Sequence, residues 1–380
     1  MNMASSGSAL VPDVHSVLIW SARWDAGNGQ AIVTKQVVEG QSNLYWIPAV
    51  YSSGRFRSIT STLRAAGILW SELLRGRSRT VYLVCSRSTG GFFRDIPALL
   101  AARIGTRVII HAHGSDIVDL LFRRRYSVIA RFFYRQCELI VPSKHLVPAM
   151  KRLMCKQLNV CENFLPIAPY AKPFVGPDEG QILHVLWNSN ILSSKGFFDV
   201  AKGIHLGRER GLDIRLTTLG KPLGDTEKNL AEVTAELDLL SKYPWIKNLG
   251  HVSPEEAVQR TAEADLIPLP SHYASECQPL ALVQAMCLGK QIIAANTSAL
   301  RETLRNYPAI LINEPTPESI SIALEVVLQS KAVGHHDETT QFSRAAEKAR
   351  DRFSVTRFNT QMAKILGSAT ISSPDSSENQ

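Results

Sequence analysis

Short apolar runs alternate with longer helix-period segments from residue 14 to residue 365. Each apolar run ends in a loop of polar, Gly or Pro residues, which is typical of a buried strand. This pattern predicts strands at 14–21, 44–50, 80–85, 107–110, 139–142, 158–164, 182–187, 213–219, 246–252, 264–269, 291–295 and 309–312. The intervening segments carry apolar residues three or four positions apart and predict helices, the clearest at 56–74, 92–104, 120–137, 143–154, 297–304, 317–329 and 347–365.

The alternation is interrupted once, between residues 165 and 180, where four prolines and little periodicity indicate a linker. Strands and helices alternate on either side, which predicts two α/β domains, each a doubly wound parallel sheet. At 380 residues the chain is long enough for two separate cores. We expect a flexible N-terminus (1–13), a first domain (14–168), a linker (169–180), a second domain (181–346) and a Ser-rich disordered tail (367–380).

The composition is that of an ordinary globular protein, with 45% apolar and 20% charged residues. No apolar run approaches the length that spans a bilayer. Residues 1–13 are small and polar, so no signal peptide is predicted. Six cysteines at irregular spacings, with no Cys-x-x-Cys pair, predict reduced and mostly buried thiols in a cytoplasm rather than a zinc site.

The net charge of +8 is divided unevenly along the chain. Residues 1–175 contain 22 Lys and Arg against 9 Asp and Glu, whereas the remainder contains 20 against 25. A basic half indicates an anionic partner, such as nucleic acid, acidic lipid or a phosphorylated substrate. The segment 120–137 combines Arg123, Arg124 and Arg125 with several aromatic residues at helical spacing. It would suit an anionic membrane surface, although a domain helix with a solvated basic face, its apolar residues buried against a sheet, explains the same pattern.

The most informative stretch runs from Pro268 to Gly289. A short apolar strand, a polar loop and a helix follow one another, with Pro279 where the first helical residue is expected and Gly289 at the C-terminal cap. One apolar face of the helix is formed by Leu280, Val283 and Cys287. The free N–H groups and the dipole at the start of this helix favour a phosphate. Nearby, Glu276 in the loop and Gln284 in the helix are placed to hold two ends of one ligand.

Two further loops carry candidate phosphate contacts. Gly27 and Gly29 follow the first strand and precede a helix, but Ile32 stands where a dinucleotide fingerprint has its third Gly, so a plain tight turn is about as well supported. Lys195 follows the seventh strand, where its ammonium could reach a diphosphate. An exposed loop lysine is the alternative.

Histidines end the fourth strand, in the sequence His111-Ala-His113-Gly-Ser-Asp. Ligands of open parallel sheets gather at the carboxyl ends of strands. Both side chains point to the same side of an extended chain, so geometry does not choose between them. We expect His113 to face the cleft; the alternative is a histidine satisfied inside the rim of the sheet.

The stretch from Pro268 to Gly289 resembles the signature of retaining GT-B glycosyltransferases of the family-4 type, also called glycosyl transferases group 1. Glu276, Ala285, Met286 and Gly289 match that signature, and Glu-x-Gln-Pro-Leu resembles a bacterial polysaccharide-type subset. Position 284 departs from the family, which has a second Glu there that holds the ribose hydroxyls. The resemblance extends over 14–365, and it is most specific at 188–196 and 268–289.

The resemblance implies a GT-B fold, in which two Rossmann-like domains face each other across a cleft and the closing helix, here 347–365, packs back on the first domain. The second domain would bind a nucleotide-sugar of the UDP or GDP type, and the first an acceptor. Catalytic roles are implied for His113, Glu276 and Lys195. Donor contacts are implied for Gly27, Gly29, Asn190, Lys195, Gly220, Val252, Glu276, Pro279, Leu280 and Gln284, and Glu302 corresponds to a further family Glu.

The function implied is transfer of a sugar, with retention of configuration (EC 2.4), to a glycan or lipid-linked acceptor in cell-surface polysaccharide synthesis. No metal is expected because the sequence has no Asp-x-Asp, and no cofactor is expected. A cytoplasmic location, peripheral at the inner face of the cytoplasmic membrane, follows from this interpretation. Two alternatives stand: a nucleotide-sugar-binding protein with weak or no activity alone, and a nucleic-acid-binding protein, for which no reading motif is found.

Overall fold

The computed structural model describes residues 17–22, 29–42, 44–49, 55–86, 88–165, 182–333 and 336–367. Within these residues the strands form two parallel sheets of six strands each. The predicted class, two Rossmann-like doubly wound domains, is confirmed. The flexible N-terminus, the linker and the disordered tail expected at 1–13, 169–180 and 367–380 lie outside the described residues, except for Gly367.

The first sheet is built from β1 (Val17–Ser21), β2 (Leu44–Pro48), β3 (Thr80–Val84), β4 (Arg107–His111), β5 (Glu138–Val141) and β6 (Gln157–Val160). Its strand order is β2-β1-β3-β4-β5-β6. All five residues of β1 are buried, as expected for a parallel strand covered by helices on both faces. The order reverses between β1 and β3, and doubly wound sheets bind ligands outside the carboxyl ends of the strands at such a point.

The helices of the first domain are α1 (Gly29–Gly40), α2 (Arg55–Leu74), α3 (Thr89–Leu100), α4 (Asp116–Phe122), α5 (Ser127–Tyr134) and α6 (Val147–Lys151). The single helix predicted at 120–137 is wrong. The backbone N–H groups of Arg123 and Arg124 both donate to the Asp119 carbonyl, at 3.0 and 2.8 Å, which ends α4 before α5 begins. The helix predicted at 143–154 is a 3-10 turn followed by the short α6, and Ser143 does not cap it.

The second sheet contains β7 (Leu183–Asn188), β8 (Ile214–Leu219), β9 (Ile246–Asn248), β10 (Leu266–Leu269), β11 (Gln291–Ala295) and β12 (Ile310–Ile312). Its order is β12-β11-β10-β7-β8-β9, which reverses between β7 and β10. These two strands are direct neighbours, with Leu266 paired to Val185. The loops that leave their carboxyl ends therefore share the place where such sheets bind ligands.

The helices of the second half are α7 (Phe197–Glu209), α8 (Leu230–Leu240), α9 (Pro254–Glu263), α10 (Leu280–Cys287), α11 (Ser298–Thr303), α12 (Pro317–Val333), α13 (His336–Arg352) and α14 (Val355–Leu366). Two expectations are wrong. The first concerns Pro279, which is the residue before α10 rather than its first. The helix predicted at 347–365 is interrupted, because the side chain of Ser354 accepts from the Arg357 N–H and starts α14 anew.

The last helix packs on the first domain. Phe358, Met362 and Leu366 join a core that contains residues of β1, β3 and α1. Arg107, the first residue of β4, donates to the carbonyls of Ile365 and Leu366 at 2.7 and 3.3 Å. A guanidinium there satisfies carbonyls that the end of a helix leaves open and suits the negative end of its dipole.

Each domain has its own core, one on the second sheet and one on either face of the first. All six cysteines are free thiols, five of them buried, as the sequence predicts. Among the helices in the described part of the chain, none combines the length and the apolar character needed to cross a bilayer.

Candidate active site

The site lies where the loops after β7 and β10 meet. The first loop carries Lys195 and the second carries Glu276. Lys195 Nζ lies 3.5 Å from Glu276 Oε2 and donates to Ser189 Oγ at 2.9 Å. The two charged side chains are 17% and 12% exposed, so their charges are only partly screened by water. The structure thus brings together the two charged groups that the sequence predicted for one crevice.

Glu276 is held at both its side chain and its backbone. Ser271 Oγ donates to Glu276 Oε2 at 3.1 Å. The Glu276 carbonyl accepts a hydrogen bond of 2.6 Å from Ser115 Oγ, which belongs to the loop after β4 in the first domain. The loop therefore has contacts on both sides of the interdomain cleft, and the carboxylate is oriented before any ligand binds.

Asp225 fixes the loop that carries Lys195. Its carboxylate accepts the N–H and the hydroxyl of Ser194 at 2.8 and 2.7 Å, and it also accepts the N–H groups of Glu227 and Lys228. Partial burial raises the pKa of Asp225, but these hydrogen bonds outweigh it and lower the pKa to about 2. Sequence reasoning missed Asp225 because nothing in its local pattern shows that it meets Ser194.

Two glycines allow the loops to pass close to one another. Gly196 has φ +82°, and a Cβ there would lie 2.8 Å from the Pro270 carbonyl oxygen, so only Gly fits between Lys195 and α7. Gly220 has φ +100°, and a Cβ there would lie 2.4 Å from the Ser189 carbonyl oxygen. Asn190 is exposed, and its Oδ1 accepts the Lys221 N–H at 3.2 Å. Gly220 and Asn190 thus lie together at the carboxyl ends of β7 and β8.

Gln284 belongs to a buried polar cluster below the loops. Its Oε1 accepts from Asn188 Nδ2 at 3.2 Å, and its Nε2 donates to Thr261 Oγ1 at 3.2 Å. Asn188 Nδ2 also donates to Thr261 Oγ1, at 3.1 Å, and Thr261 is fully buried. Both ends of the Gln284 amide therefore have protein partners. Sequence reasoning missed Asn188 and Thr261, although Asn188 ends a strand at the predicted site.

The starts of α1 and α10 face each other across the cleft. A Cβ on Gly29 would lie 3.5 Å from Leu280 Cδ1, so the first residue of α1 approaches the first residue of α10 in the other domain. Pro279 precedes α10, and its carbonyl accepts the N–H groups of Leu282 and Val283 at 3.1 Å each. Gly27, the other glycine of the loop, lies outside the described residues.

Val252 lies after β9, where it is partly buried against the core of the second domain. The preceding loop is tied to the site because the Gly250 carbonyl accepts the Gly220 N–H at 2.7 Å. Val252 therefore lies at the same edge of the sheet as Lys195, but two strands away from it.

The two histidines differ in their surroundings. His111 is fully buried, and Tyr82 Oη lies 2.5 Å from its Nδ1. Burial, with a further contribution from His113, lowers the pKa of His111 well below its usual value, so this imidazole is neutral. The His113 ring lies 4.2 Å from the His111 ring and is only partly buried. Of the two, His113 is the one that solvent can reach.

A second network joins the domains behind residues 270–279, the loop between β10 and α10 that carries Glu276 (the ligand loop). The Glu162 carboxylate after β6 forms an ion pair with Arg352 of α13 and accepts from Gln278 Nε2 at 3.3 Å. Asn163 Nδ2 donates to the Gln278 carbonyl at 3.0 Å. Arg352 also donates to the Thr303 carbonyl at 3.0 Å. These residues connect the two domains, and no short-range signal in the sequence pairs them.

Metal ligands are not clustered in the part of the chain that the structure describes: no group of three or more His, Cys, Asp and Glu side chains there is arranged to hold an ion. The positive groups that the described site offers are the Lys195 ammonium and the N–H groups at the start of α10.

Comparison with known proteins agrees with this geometry. Residues 180–349 match the family model described as glycosyl transferases group 1. The crystal structure of Anabaena HepE in complex with UDP and glucose has a TM-score of 0.68 at 14% identity, covering 93% of this chain and 100% of that chain. A glycosyltransferase from Rickettsia africae ESF-5 has a TM-score of 0.67 at 13% identity, covering 93% and 97%.

Sucrose-phosphate synthase from Thermosynechococcus elongatus is also similar, with a TM-score of 0.66 at 13% identity, covering 93% of this chain and 98% of that chain. A search of the curated proteins finds no match. At such low identities the structural likeness shows the fold alone. The second domain resembles the glycosyl transferases group 1 family over residues 180–349, and the two sheets together adopt the GT-B fold.

Proposed function

We propose that the protein transfers a sugar from a nucleotide-sugar to a glycan or lipid-linked acceptor, with retention of configuration, in cell-surface polysaccharide synthesis. The observation that carries the proposal is the Lys195–Glu276 pair at the reversal point of the second sheet, with the first domain in contact with the same loop. A crevice between two doubly wound domains gives a donor site and an acceptor site that face each other.

The donor diphosphate would replace Glu276 as the partner of the Lys195 ammonium and would also meet the N–H groups at the start of α10. Departure of the nucleotide builds negative charge on the β-phosphate. Fixed positive groups at that position stabilise the transition state more than the ground state. We propose that these groups act without a metal ion and that no cofactor takes part.

Glu276, released from the ion pair, would accept hydrogen bonds from hydroxyls of the transferred sugar and so orient it. His113, from the opposite domain, would contact the sugar near its reacting carbon. The acceptor would attack from the face that the nucleotide leaves, which retains configuration. Gly29 and Leu280 would border the donor where the domains meet.

The donor is proposed to be of the UDP or GDP type. Structures of HepE contain UDP, or UDP-glucose, which supports a uridine nucleotide first. A thermal-shift panel of UDP, GDP, ADP and UDP-glucose tests the proposal. A ligand at a hundredfold excess over its dissociation constant stabilises by ~2.7 kcal/mol, a rise in Tm of roughly 3 °C if the 380-residue chain unfolds as one unit. If no nucleotide raises Tm, the donor site is refuted.

A second function is supported by the two amides at the site. Gln284 and Asn190 stand where the resembling family commonly has charged residues, and both accept hydrogen bonds from the protein itself. A protein that binds nucleotide-sugar but does not turn it over alone would fit this. Slow hydrolysis of UDP-glucose, followed by chromatography, separates the two functions, because an enzyme releases sugar and a binder does not. The anomer first released, read by NMR, tests retention.

Peripheral membrane association is proposed for the first domain. Three apolar side chains on α5, expected by the alternative view to be buried, are exposed: Val128 by 68%, Ile129 by 44% and Phe132 by 58%. The Arg103 guanidinium stacks 3.7 Å from the centre of the Phe132 ring, beside a groove of about 350 Å³ that Arg131 also lines. Apolar side chains among arginines fit the interface of an anionic bilayer at the inner face of the cytoplasmic membrane.

Co-sedimentation with phosphatidylglycerol and phosphatidylcholine vesicles tests this surface. Each arginine near an anionic bilayer contributes ~1 kcal/mol, so replacing Arg123, Arg124 and Arg125 by Ser is expected to weaken binding to phosphatidylglycerol roughly 100-fold. Phe132→Ser is expected to weaken it as well, whereas Leu239→Ser, at a side chain 61% exposed on the second domain, is expected to have no effect. Equal sedimentation of all four proteins would refute the proposal.

A further inference from the structure

A chain of hydrogen bonds reaches the ligand loop from the first domain. Ser143 Oγ lies 2.8 Å from His145 Nδ1, His145 Nε2 lies 3.2 Å from Ser115 Oγ, and Ser115 Oγ lies 2.6 Å from the Glu276 carbonyl oxygen. The first three of these residues belong to the first domain. Glu276 belongs to the second, and neither His145 nor Ser115 has a place in the donor contacts described above.

The direction of each hydrogen bond follows from the number of protons. Ser115 has one hydroxyl proton, and the Glu276 carbonyl can only accept, so that proton goes to Glu276. Ser115 Oγ must then accept from His145 Nε2–H. Burial lowers the pKa of His145, against an opposing effect of Glu302, and a neutral ring protonated on Nε2 accepts from Ser143 on Nδ1. All three bonds are satisfied with a single tautomer.

The loop that receives this chain is embedded in the first domain. Ser115 N–H donates to the Ser275 carbonyl at 3.3 Å, and a Cβ on Gly114 would lie 3.2 Å from the same oxygen. Cys277, only 3% exposed, is part of the first domain's hydrophobic core. The backbone on both sides of Glu276 is therefore set by the opposite domain, while its carboxylate points to Lys195.

We infer that Ser115, oriented by His145, is a positioning residue that holds the Glu276 backbone from across the cleft, so that the donor site is complete only when the two domains are together. The expected consequence is that closure of the two domains is coupled to donor binding, and this consequence rests on the proposed function. A ligand that bridges Lys195 and Glu276 binds tightly only where the Ser115 bond exists. Loss of this bond reduces affinity without removing any group that touches the nucleotide.

The test uses the full chain and two measurements. The first is hydrogen exchange of peptides that cover 271–279, without nucleotide. The second is the Kd of UDP-glucose by calorimetry, because only a nucleotide that carries its sugar can bridge Lys195 and Glu276. Ser115→Ala is expected to speed exchange in the loop and to weaken UDP-glucose binding roughly 2- to 12-fold, the range that one hydrogen bond contributes. Ser253→Ala, which removes a serine hydroxyl that caps α9, serves as the matched control and is expected to change neither.

Conservative variants separate positioning from packing. Ser115→Thr keeps the hydroxyl and His145→Gln keeps an N–H near the position of Nε2, so both are expected to retain near wild-type exchange and Kd. His145→Phe keeps the ring without the donor and is expected to behave like Ser115→Ala. The inference is overturned if Ser115→Ala and His145→Phe match the control in both measurements. If the wild-type chain binds no UDP-glucose, the proposed function fails, while the exchange result still decides whether Ser115 holds the loop.

Discussion

Two ion pairs of equal length allow the site to be tested against a control in the same chain. Lys195 and Glu276 lie 3.5 Å apart with side chains 17% and 12% exposed. Lys202 and Glu236 also lie 3.5 Å apart, but their side chains are 54% and 24% exposed. Replacing each lysine by Met removes the ammonium and keeps an unbranched apolar stem. The two variants therefore differ mainly in the surroundings of the charge that is removed.

The stability effect follows from burial. Without Lys195, the Glu276 carboxylate keeps one hydrogen bond, from Ser271, in a setting that water reaches poorly. Breaking a fully buried pair costs about 3–5 kcal/mol, and an exposed pair contributes about 0–1 kcal/mol. We expect Lys195→Met to lower the free energy of unfolding by about 1–3 kcal/mol and Lys202→Met to lower it by less than about 1 kcal/mol.

The effect on nucleotide binding is expected to be larger. A hydrogen bond between charged groups contributes about 1.5–3 kcal/mol, so loss of the Lys195 ammonium should weaken UDP binding roughly 10- to 150-fold. Lys202→Met should leave the Kd unchanged, because Lys202 lies on α7, where its ammonium pairs with Glu236 of α8.

Urea unfolding and calorimetry with UDP measure the two effects. A double-mutant cycle with Glu276→Gln isolates the coupling between the two side chains, because Gln removes the unpaired charge that Lys195→Met leaves behind. Wild-type UDP affinity in Lys195→Met would show that the ammonium does not touch the diphosphate. Equal loss of stability in both lysine variants would show that the burial argument is wrong.

Three further outcomes are expected. In urea unfolding, Gly220→Ala should lower the free energy of unfolding by more than Gly76→Ala does. Both glycines have positive φ, but a new Cβ on Gly220 would also lie 2.4 Å from a carbonyl oxygen. Equal losses in the two variants would contradict this. The pKa of Asp225 is lowered from 3.8 to about 2, so its carboxylate contributes stability above pH 4 that is lost as pH falls toward 2. Asp225→Asn should therefore flatten the dependence of the unfolding free energy on pH in this range. An unchanged dependence would show that the Asp225 carboxylate does not stabilise the fold. Met362→Ala, at a fully buried side chain, should lower the free energy of unfolding by about 2–5 kcal/mol. Met154→Ala, at a side chain that is 71% exposed, should change it little. A small loss for Met362→Ala would show that α14 is loosely packed.

Local pattern was sufficient to locate the strands of the described residues and the elements at the site, but the strands predicted at 158–164 and 246–252 end earlier, at Val160 and Asn248. The strand predicted at 291–295 is β11 itself, and the strand, loop and helix around Glu276 are present. Continuous apolar runs identify the strands because parallel strands are buried on both faces, and period-3.6 patterns identify the helices that cover them. The meeting of Lys195 and Glu276 was implied by the family resemblance. The structure accounts for it, because adjacent strands at a reversal point deliver their loops to one edge of the sheet.

Breaks in helices were not predicted. The apolar spacing of 120–137 continues through the turn between α4 and α5, so periodicity alone shows no end. The break before α14 had a local signal, because Ser354 is a good N-cap residue, but the helical pattern on both sides hid it.

The supporting residues of the site were missed for a different reason. Asp225, Thr261 and Ser115 act on residues 31, 23 and 161 positions away along the chain. No local pattern encodes such pairs, and a single hydroxyl or carboxylate has many ordinary roles. These residues meet their partners only in the folded chain, where distant segments lie side by side.

The position of α14 has a consequence for how the chain is made. During synthesis the first sheet leaves the ribosome early, yet the helix that covers Val17, Ile19 and Tyr82 on one face is translated after the whole second domain. The part of that apolar face that α1 does not cover stays exposed for the time needed to add some two hundred residues, at roughly 5–20 residues per second. A nascent chain in this state is a substrate for chaperones, and the first domain reaches its final packing only after the second has been translated.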